Sequence, residues 1–174
     1  MVKRFLVSFA TVLLLSVDGW GCAAHEPVPV GSTFASLEPE LDAYVDAMAV
    51  RLARATGRHD VAASPDGAIP VYFLDGMTSV RPDTGEVVED CGNTLWRSQD
   101  GVFVSVEIRI DPTPAPNCPP IQVTLLHEGM HGLAPDAAHA DRGVFAEAAQ
   151  GSRVDMPALE RVCSSFECLT MTVE

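Results

Sequence analysis

Residues 124–132 of the chain read TLLHEGMHG and carry the most informative pattern of the sequence. The apolar residues of this stretch fall on one side of a helical wheel, which predicts a helix over about residues 120–132. His127 and His131 stand four residues apart, so both imidazoles lie on one helix face, one turn from each other. Two imidazoles at this spacing chelate one metal ion, and the adjacent Glu128 can act as a general base. The structural alternative is an ordinary core helix that carries two surface histidines.

A third metal ligand is expected, because a catalytic zinc takes three protein ligands and keeps a fourth position open. Three of the five histidines of the chain fall in one short segment, and the last of these is His139. The sequence leaves other candidates open. Asp136 or Asp141 can take the position, and Asp141 can instead orient the His139 ring. A glutamate from a later element, Glu147 or Glu160, is the remaining candidate.

The other elements follow in a simple order along the chain. Apolar residues at spacings of three and four predict a first helix over residues 38–56. Residues 69–74 are predicted as a short buried strand, and turn signals with one or two weak strands fill residues 77–101. Strict alternation over Val102–Ile110 predicts a strand with one polar face. A last helix is predicted over residues 157–166, and this order of elements predicts an α+β fold.

The first 25 residues have the composition of an export signal. Two basic residues precede an apolar run at residues 5–17, which is shorter than a membrane span. A signal peptide is predicted over residues 1–21, with Cys22 as the lipid-carrying residue of a bacterial lipoprotein. The protein would then be attached to the cell envelope through this lipid alone. Cleavage before His25 followed by simple secretion is one alternative, and an uncleaved membrane anchor is another.

Length and charge limit the classes of function. The chain has 174 residues, which suits a single domain, predicted over residues 36–174 after a flexible linker at 22–35. Apolar residues make up 47% of the chain, which excludes global disorder. The net charge of −13 argues against nucleic acid as a partner. A monomer is expected.

The cysteines are predicted to form structural disulfides rather than metal ligands. The chain has five cysteines, and assigning Cys22 to the lipid leaves four for two bridges, as an exported protein prefers. Four cysteines allow three pairings. The pairing favoured here joins Cys91 to Cys118, around the best strand, and Cys163 to Cys168, at the end of the last helix.

Two segments within residues 124–146 resemble the metzincin zinc metallopeptidases, and the matrixin-like group most closely. Residues 124–128, TLLHE, are similar to the family's approach to its zinc helix. Residues 139–145, HADRGVF, are similar to the stretch from the third histidine to the methionine turn. The resemblance implies a zincin-like domain. Its parts would be a long first helix, a small, mostly parallel twisted sheet with an antiparallel edge strand, the zinc helix and a C-terminal helix.

The chain departs from the family pattern at three points. His139 lies eight residues beyond His131, whereas the family usually has a spacing of six. Ala134 replaces a glycine, so the turn after the zinc helix must differ, with Pro135 as the candidate cause. Phe145 occupies the position of the methionine in the methionine turn, which removes the usual hydrophobic floor residue but no metal ligand.

Together with the signal, the resemblance implies an exported, lipid-anchored zinc endopeptidase that acts on peptides or proteins. His127, His131 and His139 would hold one catalytic Zn²⁺. Glu128 would take a proton from the zinc-activated water and pass it to the leaving amine. The strand at residues 102–111 is the predicted edge of the cleft, where an extended substrate adds as a strand. The alternatives are an inactive zincin-fold envelope lipoprotein with a binding or structural role, and a protein that holds zinc without hydrolysis.

Overall fold

The computed structural model describes most of the chain beyond the predicted export signal. It covers residues 31–174 except Pro82, Pro114, Glu147, Ala148 and Gln150. The predicted signal peptide, the lipidation site Cys22 and the linker up to residue 30 therefore lie outside the described residues. Within the described part, every helix is too short or too polar to cross a bilayer.

The described residues form an α+β fold, as predicted, with a mixed sheet and three α-helices. The helices are α1 (Asp42–Thr56), α2 (Ile121–Leu133) and α3 (Met156–Val162). The strands are β1 (Thr33–Ser36), β2 (Ala62–Ala63), β3 (Ile69–Phe73), β4 (Thr78–Val80), β5 (Val87–Glu89), β6 (Gly92–Gln99) and β7 (Val102–Ile110). The strand predicted from alternation, β7, has the predicted bounds.

The first helix matches its predicted apolar pattern. A 3-10 turn at Pro39–Leu41 precedes α1, and the helix ends at Gly57, which has a left-handed φ of 69°. Glycine adopts this conformation without strain. A Cβ at this position would also lie 2.8 Å from the backbone nitrogen of Thr170, so the C-terminal segment passes too close for a side chain.

The five-stranded sheet has the order β2-β1-β3-β7-β6. The pairs β1–β2, β1–β3 and β3–β7 are parallel, whereas β6 runs antiparallel to β7. Because β7 lies between β3 and β6, the edge of the sheet on this side is β6. The prediction that residues 102–111 form the edge of the cleft is therefore wrong. The sequence does not identify β6 as the edge strand, because this polar strand lacks the alternating apolar residues that mark β7.

The predicted linker extends too far, because β1 lies inside it. Residues Thr33–Ser36 pair with both β2 and β3, and Phe34 is fully buried in the core. The folded region therefore begins before residue 36. A strand of four residues gives little periodic signal, and its pairing depends on partners 29 or more residues away in the sequence.

Two disulfides join the pairs of cysteines that the sequence analysis favoured. Cys91–Cys118 connects the chain just before β6 to the loop before α2, and Cys163–Cys168 closes a short turn after α3. The second bridge brings Cα atoms five residues apart to 5.4 Å. A continued helix would rise about 7.5 Å over that distance, at about 1.5 Å per residue. The last helix consequently ends at Val162 and not at residue 166 as predicted.

A small hairpin, formed by β4 and β5, stands apart from the main sheet. Its base is fixed by the buried carboxylate of Asp111, which accepts hydrogen bonds from the backbone N–H groups of Gly76 at 2.9 Å and Met77 at 3.2 Å. The N–H of Asp90 donates to the Met77 carbonyl at 3.0 Å. These bonds close the base of the hairpin and attach it to the residue that follows β7.

The helix α2 packs unusually close to the sheet at Gly132. A Cβ there would lie 2.9 Å from Cε1 of Phe34 and 3.1 Å from Cδ1 of Ile108, two fully buried side chains. The glycine thus permits a close approach that no larger residue allows without movement of the core.

We expect Gly132→Ala to destabilise the fold, although alanine favours a helix over glycine by about 1 kcal/mol. Overpacking of a core costs about 1–3 kcal/mol, so after the gain in helix propensity the free energy of unfolding should fall by up to about 2 kcal/mol. Urea unfolding measures this change. Gln122→Ala, on the exposed side of the same helix, is the matched control and should leave stability nearly unchanged. A stabilised Gly132→Ala variant would contradict the packing described here.

Candidate metal centre

The structure brings His127, His131 and His139 together in one cluster. Their ligand nitrogens all lie within 4.8 Å of one another, an arrangement that could hold a metal ion. The Nε2 atoms of His131 and His139 are 3.0 Å apart. The ring centroids are separated by 5.0 Å, 5.1 Å and 4.9 Å, so the three imidazoles form a nearly equilateral triangle. Two of the rings come from α2 and the third from the segment that follows it.

The longer connection between His131 and His139 is accommodated by a turn after α2. The Ala137 N–H donates to the Ala134 carbonyl at 3.0 Å, which closes this turn. Ala134 has a φ of −135°, which any L-residue adopts. The turn therefore needs no glycine at this position. Beyond it, the Ala140 N–H donates to the carbonyl of Phe145 at 2.8 Å and fixes the loop that carries His139.

His127 is oriented by the same loop. Its Nδ1 lies 2.9 Å from the Val144 carbonyl oxygen. Because a carbonyl can only accept, Nδ1 carries the proton and donates it, which leaves Nε2 free as the ligand atom. A backbone partner of this kind fixes both the tautomer and the ring orientation of a metal-binding histidine.

Phe145 forms an apolar floor beneath the three imidazoles. Its ring centroid lies 4.6 Å from that of His131, 5.5 Å from that of His127 and 5.8 Å from that of His139. The side chain is fully buried. Phe145, which stands where the resemblance implies a methionine, therefore supplies an apolar floor with its own ring. Its position in the sequence was recognised, but its contact with all three rings depends on the folded loop.

Burial keeps the two histidines of α2 in their metal-binding protonation state. Desolvation lowers the pKa of His127, and it lowers the pKa of His131 to about 3 with a smaller contribution from the neighbouring imidazoles. Loss of solvent disfavours the charged imidazolium. The neutral imidazole is the form that binds a metal ion. Both α2 histidines are therefore ready to act as ligands at neutral pH.

Glu128 is a buried carboxylate at the edge of the cluster. Its Oε1 lies 3.9 Å from Nε2 of His127, and its Oε2 accepts a hydrogen bond from Oγ1 of Thr94 at 2.7 Å. Burial raises the pKa of Glu128 to about 7; the Thr94 hydrogen bond opposes this shift, and the negative charge of Asp90 adds to it. A carboxylate with a pKa near neutrality can both take and return a proton.

Sequence reasoning missed Thr94, which belongs to the polar strand β6. The residue is buried and contacts α2 across 34 positions of the chain. Oγ1 of Thr94 also lies 3.1 Å from the backbone carbonyl oxygen of Glu128, but the carboxylate, at 2.7 Å, is the nearer acceptor. A single threonine in a polar strand carries no local signal of such a role. Only the pairing of β6 with β7 brings Thr94 next to α2.

The other candidate ligands lie outside the cluster or outside the described residues. Asp136 and Asp141 are exposed, and neither belongs to the group of mutually close ligand atoms. Glu160 is exposed on α3, where it and Asp141 line a separate surface groove. Glu147 lies outside the described residues. Among the candidates in the described part of the chain, His139 alone joins the two histidines of α2.

Comparisons of the chain with protein-family models, curated proteins and solved structures find no match. The resemblance to metzincins therefore depends on the motifs within residues 124–146. Inference about function depends on those motifs and on the geometry of the histidine cluster.

We expect the purified chain to bind one zinc ion and His139→Ala to weaken binding by about 100-fold or more. Loss even of a residue that only supports a ligand costs about 10–100-fold in metal affinity. Competition with a chromophoric chelator measures the change. His59→Ala, which removes an exposed histidine far along the sequence from the cluster, is the control and should leave affinity unchanged. Tight zinc binding that survives His139→Ala would place the third ligand elsewhere.

We expect Thr94→Val to destabilise the fold by about 1–3 kcal/mol, because among the described residues the Thr94 hydroxyl is the one donor to the buried carboxylate of Glu128. The isosteric valine preserves volume and removes only the hydroxyl. Thermal and urea unfolding measure the loss, with Thr94→Ser, which keeps a hydroxyl, as the matched comparison. Equal stability of the valine variant and the unmodified chain would show that this hydrogen bond contributes nothing.

Proposed function

We propose that the protein is an exported zinc endopeptidase with a metzincin-like fold. The observation that supports this most strongly is a single arrangement: three imidazoles around one point, with the buried carboxylate of Glu128 beside them. A protein that only stores a metal ion does not need a desolvated base next to the metal ligands. Catalytic sites, in contrast, commonly hold a base whose pKa has been moved toward neutrality.

Zinc is the metal that suits this donor set. Three imidazoles are a common catalytic zinc site, and they leave one position open. Nitrogens around one tetrahedral zinc ion lie about 3.3 Å apart, given Zn–N distances of about 2.0–2.1 Å. The separation of 3.0 Å between Nε2 of His131 and Nε2 of His139 is close to this value. When bound, zinc supplies Lewis-acid chemistry, since it polarises a carbonyl and lowers the pKa of water.

The role of Glu128 follows from its environment. One carboxylate oxygen accepts the proton of the attacking water, and the same carboxyl then delivers that proton to the leaving amine. Thr94 is a positioning residue, because its hydroxyl holds Oε2 and leaves Oε1 facing His127. The pKa of about 7 favours both halves of this transfer near neutral pH.

The edge strand β6 is the surface best suited to a peptide substrate. On its inner side β6 pairs with β7, and among the described strands nothing pairs with its outer side. An extended peptide can add to such an edge through main-chain hydrogen bonds. An open cavity of about 310 Å³ joins Trp96 of β6 to the three histidines. A peptide aligned on β6 would therefore have a carbonyl group within reach of the cluster.

Export is supported by the two disulfides. Such bridges form and persist in oxidising compartments and are rare in the cytosol. With the predicted signal over residues 1–21 and a lipid on Cys22, we propose that the domain is anchored to the bacterial cell envelope. Secretion without a lipid anchor is the alternative.

The decisive experiment is Glu128→Gln, assayed for zinc content and for cleavage of a diverse peptide library. The isosteric amide should keep one zinc per chain and lower hydrolysis by about 10²–10⁴-fold, the usual contribution of a general base. Glu160→Gln, an exposed position on α3, is the control and should retain full activity.

Each other outcome has a distinct meaning. Hydrolysis unaffected by Glu128→Gln would refute the mechanism. An unmodified chain that binds zinc but cleaves no peptide would identify a binding or structural protein. A folded chain without zinc would favour an inactive relative of the zincins.

A further inference from the structure

A second cavity borders the same carboxylate and is distinct from the opening that holds all three histidines. It has a volume of about 310 Å³, and both His127 and Glu128 line it. Ligand sites span about 300–1,000 Å³, so this cavity has the size for one side chain rather than for a large molecule. A group that occupies it would lie directly beside the proposed general base.

The cavity carries negative charge without a neighbouring positive charge. Glu89, the last residue of β5, and the following Asp90 add two carboxylates to that of Glu128, and none of the described residues that line the cavity is a lysine or an arginine. Among the described residues, neither Glu89 nor Asp90 has an arginine within 4.0 Å. A cation placed here would face the carboxylates of Glu89 and Asp90 and would offset their negative charge.

The acidic groups are positioned by the fold. Oδ1 of Asp90 accepts from the Gly92 N–H at 3.3 Å, and Oδ2 accepts from Nδ2 of Asn93 at 3.0 Å. A carboxylate has about four acceptor sites, so further donors can still bind. Glu89 is exposed, whereas Asp90 is half-buried. The two carboxylates therefore offer acceptors at different depths of the cavity.

The remaining walls suit a methylene chain that ends in a cation. Cys91, which is part of the disulfide to Cys118, and Pro119 supply apolar surface. Thr124 also lines the cavity; it is only 5% exposed, and its Oγ1 has no hydrogen-bond partner among the described residues. Lysine and arginine combine an apolar stem with a charged, multiply donating end.

A second metal ion fits this cavity less well. In the described residues, the group of three close ligand atoms that could hold a metal consists of the histidines, and it includes neither Glu89 nor Asp90. The carboxylates are thus too dispersed to surround one ion. An extended basic side chain can reach acidic groups at different depths.

We propose that this cavity binds a lysine or arginine side chain of the substrate, so that the enzyme cleaves peptides next to a basic residue. This inference depends on the proposed endopeptidase function and specifies its substrate class. Glu89 and Asp90 are the residues that determine the preference.

The test compares peptides of one sequence that carry lysine, norleucine or glutamate at each position flanking the cleaved bond. The zinc-loaded chain should cleave the lysine peptide with a kcat/KM at least about tenfold higher than the norleucine peptide, a difference of about 1.4 kcal/mol. In the double variant Glu89→Gln/Asp90→Asn, the two peptides should differ by less than twofold. Glu38→Gln/Glu40→Gln removes the same two charges before α1 and should preserve the preference.

Binding to the zinc-loaded Glu128→Gln variant, measured by fluorescence anisotropy with the same peptides, separates this inference from the proposed function. If no peptide is cleaved but lysine is still bound preferentially through Glu89 and Asp90, the cavity assignment stands and the enzyme assignment fails. The inference is overturned if the lysine and norleucine peptides are cleaved and bound equally well. It is also overturned if the double variant keeps the preference for lysine. Should Asp90→Asn fail to fold, Glu89→Gln alone, at an exposed position, must still reduce the preference.

Discussion

The close packing of α2 against its neighbours is the contact on which the candidate site depends. A Cβ at Gly132 would meet Phe34 and Ile108 at 2.9 Å and 3.1 Å, and one at Gly129 would meet Met48 of α1. Both glycines thus let the helix lie close to the core. The short distance between α2 and the core brings Glu128 within hydrogen-bond distance of Thr94 on β6. Glycines inside the histidine motif therefore serve packing, and the packing positions the base.

Burial sets the protonation states of the groups in the site, and it also lowers the stability of the fold. A buried ionisable group is destabilising unless it is neutral or well paired. His127 and His131 meet this requirement as neutral imidazoles beside the apolar ring of Phe145. Glu128 meets it through one hydrogen bond and a raised pKa. Neutral nitrogen donors and a base that titrates near pH 7 are thus two consequences of the same desolvation. A metal ion would compensate part of this cost by replacing lost solvent contacts.

Sequence reasoning recovered the features whose signal is local. The alternation in Val102–Ile110 and the spacing of His127 and His131 are local patterns, and each lies where it was predicted. The disulfide pairing followed from export and from the position of the cysteines. What was missed depends on contacts between distant segments. The strand Thr33–Ser36, the edge strand Gly92–Gln99 and the Thr94 hydrogen bond exist only once the sheet is assembled.

The net charge of −13 and the acidic cavity would act on a basic peptide in different ways. Charge spread over the surface attracts any cationic peptide, but its field is screened within about 8 Å at physiological ionic strength. It would raise the rate of encounter without selecting a position along the peptide. The half-buried carboxylate of Asp90 acts at contact and is screened less. Selection of the residue beside the cleaved bond should therefore persist at salt concentrations that abolish steering, and this separates recognition by Glu89 and Asp90 from general attraction.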